Sequence, residues 1–543
     1  MGQLAPRIVP TTAPRAPPAR SPASAPARDK HVTRPPHPPP ENVCDDTRVV
    51  ASPHHGVRRC GAAGHERHGE RTVEGDLGIA LVKAARWIGL IGVLGCSAAA
   101  PTVDPAPSSA DVVAPPPSAG SPSVGIRHYA LTATISPRDK TVTALARISL
   151  EAMPTGPVHL FLHRHFVVDD VQIDGRHTTA VEGNRTLPYV DVARHLVVAN
   201  DAASPSVITL RYHGAIRTMV DAVNHISPDA LELAAYAAWY PTLDQPRRYP
   251  FDLTVTLPAA FTIVSRGERL DDRVTDGQRT VRWRARQPGL DIPLFASADV
   301  STVRADVEGV SIETHYRDLS RAEAARATEE AGASLAFYRS LFGPTDANTL
   351  QMIFSPRGGW GYSRYGYFIV SEQRHRQLLS GELEDDGPTD AAAHGNAHEI
   401  AHFWWNNADT ATVDDWINEA LAEYAAAIDS RRRLGEEGLG QWLERYRSSL
   451  ETKPPPVGIL GTSSGDSYRY ANWYQRGALF FYCTEQRVGR SELWSLLREL
   501  ARLPRITTSE LRERLEPRVG HGWLVNWLES TSLEPIARCL DAG

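Results

Sequence analysis

Apolar and polar residues alternate along the chain from about Val124 onward. Tyr129, Leu131, Ala133 and Ile135 fall on one face, residues 136–140 read as a turn, and Val142, Ala144, Ala146, Ile148 and Leu150 resume the same period. A period of two belongs to a strand with one buried face, so the two runs predict a hairpin. The period recurs at 207–212, 251–257 and 281–285, the last preceded by the turn dipeptide Asp276-Gly277. These runs predict an antiparallel β-domain over residues 124–302.

The pattern then changes. Ser320-Arg321-Ala322-Glu323 is a capping box that opens a helix expected to run to Gly343-Pro344. Residues 350–354 and 367–370 read as strands. Ala391 to Ala393, Ala397, Ile400, Ala401 and Phe403 to Trp405 are helix-compatible, and from Trp416 on nearly everything reads as helix. Residues 491–503, stopped by Pro504, and 509–515 are two such segments. The order is that of an α+β protein, with the β-domain followed by a mostly helical domain over 303–543. No internal repeat is evident.

The first 123 residues carry no such signal. Residues 1–75 are rich in Pro, Arg, His and Ala, and 1–81 read as a disordered or spurious leader, with Val82 as a candidate initiator. Lys83 and Arg86 then precede the apolar run Trp87 to Cys96, which is too short to span a bilayer stably. Residues 82–96 thus read as a signal peptide. Val93-Leu94-Gly95-Cys96 resembles a bacterial lipobox, which implies a lipid anchor at Cys96 and a place in the cell envelope, on its periplasmic or outer-membrane face. Residues 97–123 form an Ala/Pro/Ser-rich tether.

A chain of 543 residues with 42% hydrophobic content can build two or three cores. Its net charge of −6 gives no ground for a nucleic-acid partner. Of five cysteines, only Cys483 and Cys539 fall in the folded part. They could pair in an oxidising compartment, but spacing does not place them within reach.

The chemistry lies in His398-Glu399-Ile400-Ala401-His402. Residues i and i+4 share a helix face, so His398 and His402 can offer two imidazoles to one metal ion. Glu399 between them is placed to deprotonate water. Sixteen residues after His402 comes Glu419, inside Trp416 to Tyr424, which reads as a second helix start. Two His and one Glu leave an open position on a tetrahedral zinc, the form of a catalytic site. His394, one turn earlier, reads as a neighbour of this set. Glu423, one turn after Glu419, is the substitute third ligand.

These residues resemble the M1 family of zinc metallopeptidases, the gluzincins that include aminopeptidase N and leukotriene A4 hydrolase. The resemblance implies a thermolysin-like catalytic domain behind an M1-like β-domain, one zinc per chain and a peptide substrate. Asn418-Glu419-Ala420-Leu421-Ala422-Glu423-Tyr424 looks like the family's Asn-Glu-Gly-Phe-Ala helix, with Ala420 in place of Gly and a spacer two residues shorter. A trimmed loop around 406–414 accounts for that length. Tyr474-Gln475-Arg476-Gly477-Ala478 is similar to the family's Tyr-x-Lys-Gly-Ala helix, which implies that Tyr474 donates to the oxyanion. Trp239 to Pro246 with Phe251 to Val255 resembles the family's β-domain junction. Little of the family's long C-terminal helical domain follows.

One motif departs from the family. Gly359-Trp360-Gly361-Tyr362-Ser363-Arg364 stands where the family carries Gly-x-Met-Glu-Asn, whose Glu binds the substrate's free amino group. Tyr362 or Arg364 occupies the place of that acid, according to which glycine anchors the motif. Gly361, Tyr362 and Arg364 are therefore candidate substrate-binding residues. The backbone at Gly358, Gly359 and Gly361 could line a substrate as an edge strand. Glu372 is the candidate replacement acid. An M1-like aminopeptidase with altered amino-terminus recognition is the expected function. The alternatives are a catalytically silent module that binds peptides or envelope partners, and a hydrolase of non-peptide substrates.

Overall fold

The computed structural model describes residues 125–541, apart from 152–156, 188–189, 199–205, 218–222, 244–246, 360, 383–387 and 389. The side chains of 186–192 are likewise left aside. The leader, the signal segment ending at Cys96 and the tether lie outside the described residues, as do Asp244 to Pro246 and Trp360.

The hairpin forms as its alternation requires. Ile126–Ser136 pairs antiparallel with Thr141–Leu150, and Tyr129, Leu131, Ala133 and Ile135 all face inward. It sits at the centre of an eight-stranded sheet. Asp276 and Gly277 both take positive φ (50° and 74°), the two left-handed residues that a tight hairpin turn needs. One pairing departs from the antiparallel expectation: Ile126–Ser136 runs parallel with Tyr249–Pro258. These strands are separated by more than a hundred residues, so no hairpin constrains their direction. Sheets of four and three strands complete this part.

A five-stranded sheet opens the second part. Its order is Ser301–Val307, Val310–Tyr316, Thr349–Ser355, Tyr367–Ser371, Tyr362–Arg364, with the last strand on the edge. The expected strands at 350–354 and 367–370 are its middle members. Helix α1 (Arg321–Phe342) starts on the Ser320–Glu323 capping box and ends at Gly343, whose φ is 98°. Helix α2 is Glu372–Ser380, α3 is Ala391–Ala401, α4 is Asp415–Thr452 and α5 is Gly477–Val488. Among the described residues no helix is long and apolar enough to cross a membrane.

Among the described residues three ion pairs join the parts: the more exposed Arg317–Asp229 at 2.6 Å and two that are largely buried. Arg357, which follows the strand Thr349–Ser355, reaches Glu232 at 2.7 Å, and both are buried. Arg364 on the edge strand reaches Asp291 at 3.2 Å. Removing one partner of such a pair strands a charge in the interior, at a cost of about 3–5 kcal/mol. They set the edge strand against the β-domain, and a cavity of about 950 Å³ opens between the two parts. Cys483 on α5 is bonded to Cys539 in the final helix, Cα to Cα 5.9 Å apart.

Candidate metal centre

Helix α3 carries both histidines. His398 is in its last turn, and His402 caps its end while keeping helical angles (φ −62°, ψ −7°). The i, i+4 spacing therefore still puts both rings on one side. Asn418 holds the chain between α3 and α4: its amide accepts from Ala408 N at 3.0 Å and donates to Asp415 at 2.9 Å. That clamp on the short spacer returns Glu419 to the histidines.

Glu419 Oε2 lies 3.5 Å from His398 Nε2 and 3.5 Å from His402 Nε2. Four ligands about 2.1 Å from zinc stand about 3.4 Å apart along a tetrahedral edge, so the spacing fits one such ion. Donor chemistry agrees. His398 Nδ1 is 2.7 Å from Glu423 Oε2, and His402 Nδ1 is 2.8 Å from the Trp405 carbonyl. Both acceptors require Nδ1–H, which leaves Nε2 of each ring as the ligand atom. Glu419 Oε2 is buried without a hydrogen bond of ordinary geometry. Among the described residues, His398, His402 and Glu419 form the one His/Cys/Asp/Glu group that could hold a metal.

The supporting residues have separate duties. Arg469 donates to the other oxygen of Glu419 at 3.0 Å and to Asp415 at 3.2 Å. Glu423 lies outside the His398–His402–Glu419 group. It accepts from Tyr446 at 2.7 Å, faces His394 at 3.2 Å and orients His398. His394 stacks on Trp442 with 3.5 Å between ring centres.

Charge follows contact. Burial alone would lower the His398 pKa, but hydrogen bonds to Glu419 and Glu423 overcome it and push it up to about 10. Burial works to raise Glu419, and the two histidines and Arg469 hold it well below the usual range. Burial pushes Asp415 up to about 7, with repulsion from Glu419.

Glu399 sits where the sequence expects it, and its Oε2 has no hydrogen-bond partner. Burial raises its pKa, which weighs more than the pull of His398 and His402. Gly361 makes room for it: a Cβ there would stand 2.8 Å from Glu399 Oε1. The substitution Gly361→Ala would thus press on this carboxylate.

Tyr474 also comes to the cluster, though not on an α-helix. Residues Tyr470–Arg476 form a π-helical turn that runs into α5. The wider turn lays the Tyr474 ring parallel to His398, with centres 5.5 Å apart and 9° between planes. Burial raises its phenol pKa well above the usual value, with Glu419 adding to the shift, so the phenol keeps its hydrogen. A Cβ at Gly477 would meet Ala420 Cβ at 2.5 Å, so the glycine lets the turn approach α4.

One expectation is corrected. Glu372 is not in the cleft. It is buried at the start of α2 and accepts from the backbone N–H groups of Arg317, Asp318 and Leu319 at 2.8–3.0 Å. Those three unpaired donors in the turn before α1 are what claim the carboxylate. Arg364 is charge-paired. Asp291, fully buried, holds it, and the Tyr236 and Tyr362 rings flank it at 5.4 and 4.9 Å. Asp291, Tyr236, Arg469 and Asp415 were missed from sequence. The only local signal was the i, i+4 spacing of Asp415 and Glu419 on α4.

No protein-family model matches the sequence, and no curated protein is similar to it. Solved structures are similar in fold. An M1 zinc metallopeptidase from Deinococcus radiodurans superposes with a TM-score of 0.63 at 18% identity, over 76% of this chain and 96% of that one. A variant of that metallopeptidase, bound to a Tyr-Ser-Ala substrate, gives 0.62 at 17% identity over 76% and 96%. Native yeast leukotriene A4 hydrolase gives 0.61 at 15% identity over 75% and 68%.

Proposed function

We propose that this chain, which has the fold of the M1 zinc metallopeptidases, is a zinc-dependent peptidase with one metal per chain. The observation that carries the reading is a His398–His402–Glu419 cluster of tetrahedral spacing with the Glu399 carboxylate and the Tyr474 ring next to it. Zinc held by these three residues would polarise a scissile carbonyl and make water more acidic. The chain's own groups do the rest. Glu399 takes the proton of the attacking water and hands it to the leaving amine. Tyr474 donates its phenol hydrogen where negative charge develops on the carbonyl oxygen. The edge strand Tyr362–Arg364 offers backbone groups to an extended peptide. The Tyr-Ser-Ala complex of the Deinococcus relative supports a peptide as substrate.

The test is metal analysis with one variant. Purified protein should hold about one zinc per chain. Glu399→Gln should keep that zinc and lose nearly all cleavage of a peptide library. Undiminished turnover in the variant defeats the proposed mechanism.

The envelope location is part of the same proposal. The Cys483–Cys539 bond suits an oxidising compartment, and the lipobox-like run at Cys96 supplies an anchor. Mature protein should partition with membranes, and Cys96→Ala should release it or block its processing. A membrane fraction unchanged by Cys96→Ala rules out this anchor.

A further inference from the structure

Among the described residues, every acid lining the cleft has a task. Glu419 belongs to the metal cluster, Glu423 orients His398, and Asp415 is bound by Asn418 and Arg469. Asp466 accepts from Ser463 N at 2.6 Å. Glu399 is the base. None of these is placed as a spare anchor for an ammonium group, and Glu372 is spent on backbone outside the cleft.

At the edge strand the cleft presents Arg364 instead. Its guanidinium carries five N–H donors. Asp291 at 3.2 Å, the Ser363 carbonyl at 2.7 Å and Tyr236 account for three. Asp291 is saturated from behind by Ala235 N at 3.0 Å and the Tyr240 hydroxyl at 2.9 Å. It is fully buried, so it holds the guanidinium in place and offers no carboxylate to a ligand. Arg364 lines the cavity three residues from Gly361, which touches Glu399. A donor group lines the same cavity as Glu399, whose charge it helps to stabilise, where an acceptor would be needed to read an amine. An ammonium placed there would lose water and find no free acceptor, since the Asp291 carboxylate is spent on Arg364.

We propose that the Arg364 end of the cleft receives its peptide through an acceptor oxygen, an acyl carbonyl or a carboxylate, and does not read a free amino terminus. This rests on the peptidase reading above, and it names the substrate class: N-acylated peptides or internal peptide segments.

The test is binding to the zinc-loaded full chain carrying Glu399→Gln, which separates recognition from turnover. One tripeptide, Tyr-Ser-Ala, is titrated by calorimetry in free, N-acetyl and N-succinyl forms. The acylated forms should bind about tenfold or more tightly than the free form. Equal affinity for acetyl and succinyl assigns the contact to the acyl carbonyl, and tighter succinyl binding assigns it to a carboxylate. Adding Asp291→Asn with Arg364→Gln keeps the buried pair neutral and hydrogen-bonded. It should erase the preference while zinc content and thermal midpoint stay unchanged. Arg364→Lys, which keeps charge without the planar fork, should retain part of the preference. Tighter binding of the free form, equal binding of all three or binding of none overturns the proposal. Zinc uptake and digestion of an unfolded protein by the parent enzyme judge the peptidase reading separately.

Discussion

Glu423 Oε2 lies 2.7 Å from Nδ1 of His398, on the side of the ring away from Glu419. The contact places the i+4 acid of α4 behind the ring, and on the proposed reading Glu419 is the ligand. Zinc affinity should therefore rank the two. Glu423→Ala should weaken binding about 10- to 100-fold, as loss of a group behind a ligand does. Glu419→Ala should cost far more. Competition with a chelator of known affinity measures both, and the reverse order would show that the short spacer shifts the ligand by one turn.

Gly361→Ala tests how closely the base is held. Its added methyl would stand 2.8 Å from Glu399 Oε1 and 3.1 Å from Val370 Cγ1, so either the strand or the carboxylate must shift. A displacement of this size should lower kcat about 10- to 100-fold, with zinc content unchanged. A kcat equal to that of the parent means that Glu399 does not act from the position seen.

The sequence exposed what local pattern controls. The Ser320 capping box, the alternation around Tyr129 and the i, i+4 pair His398 and His402 each declare themselves within a few residues, and each takes the expected form. Pairings across the chain did not declare themselves. Arg364 meets Asp291 from 73 positions away, and Glu372 meets the turn at Arg317 from 55. Both depend on tertiary packing that no short window contains. The π-turn at Tyr470–Arg476 was hidden for a related reason: its residues are compatible with an α-helix, and only Tyr474 over His398 and Gly477 against Ala420 select the wider turn.

The bond between Cys483 and Cys539 spans 56 positions and ties the last helix to α5. Closing a loop of that length in the unfolded chain is worth about 4 kcal/mol on a chain-entropy estimate. Reduction should lower the thermal midpoint by several degrees. Because α5 carries the turn that bears Tyr474, it should also lower activity before global unfolding. A midpoint unaffected by reductant, with free thiols confirmed by labelling, would mean that the final helix is held by packing alone.

Acid sensitivity should come in part from His375. Its ring is 6% exposed and packs on Phe354 with 4.6 Å between ring centres. Burial lowers its pKa from 6.5 to about 4, against a weaker opposing pull from Glu323. The unfolded chain therefore binds this proton more readily than the folded one, and stability rises with pH across that interval. The contribution is complete above about pH 6.5 and is lost as pH falls toward 4, a swing of about 3 kcal/mol for this one group. His163, also buried and also lowered to about 4, adds to the same window with the same sign. Urea unfolding from pH 7 to pH 4.5 should show the loss in the parent. His375→Phe should flatten the slope without removing it, since His163 remains. An unchanged slope in His375→Phe would place the acid sensitivity elsewhere, with the metal ligands as the first alternative, and repeating the series with zinc in excess separates the two.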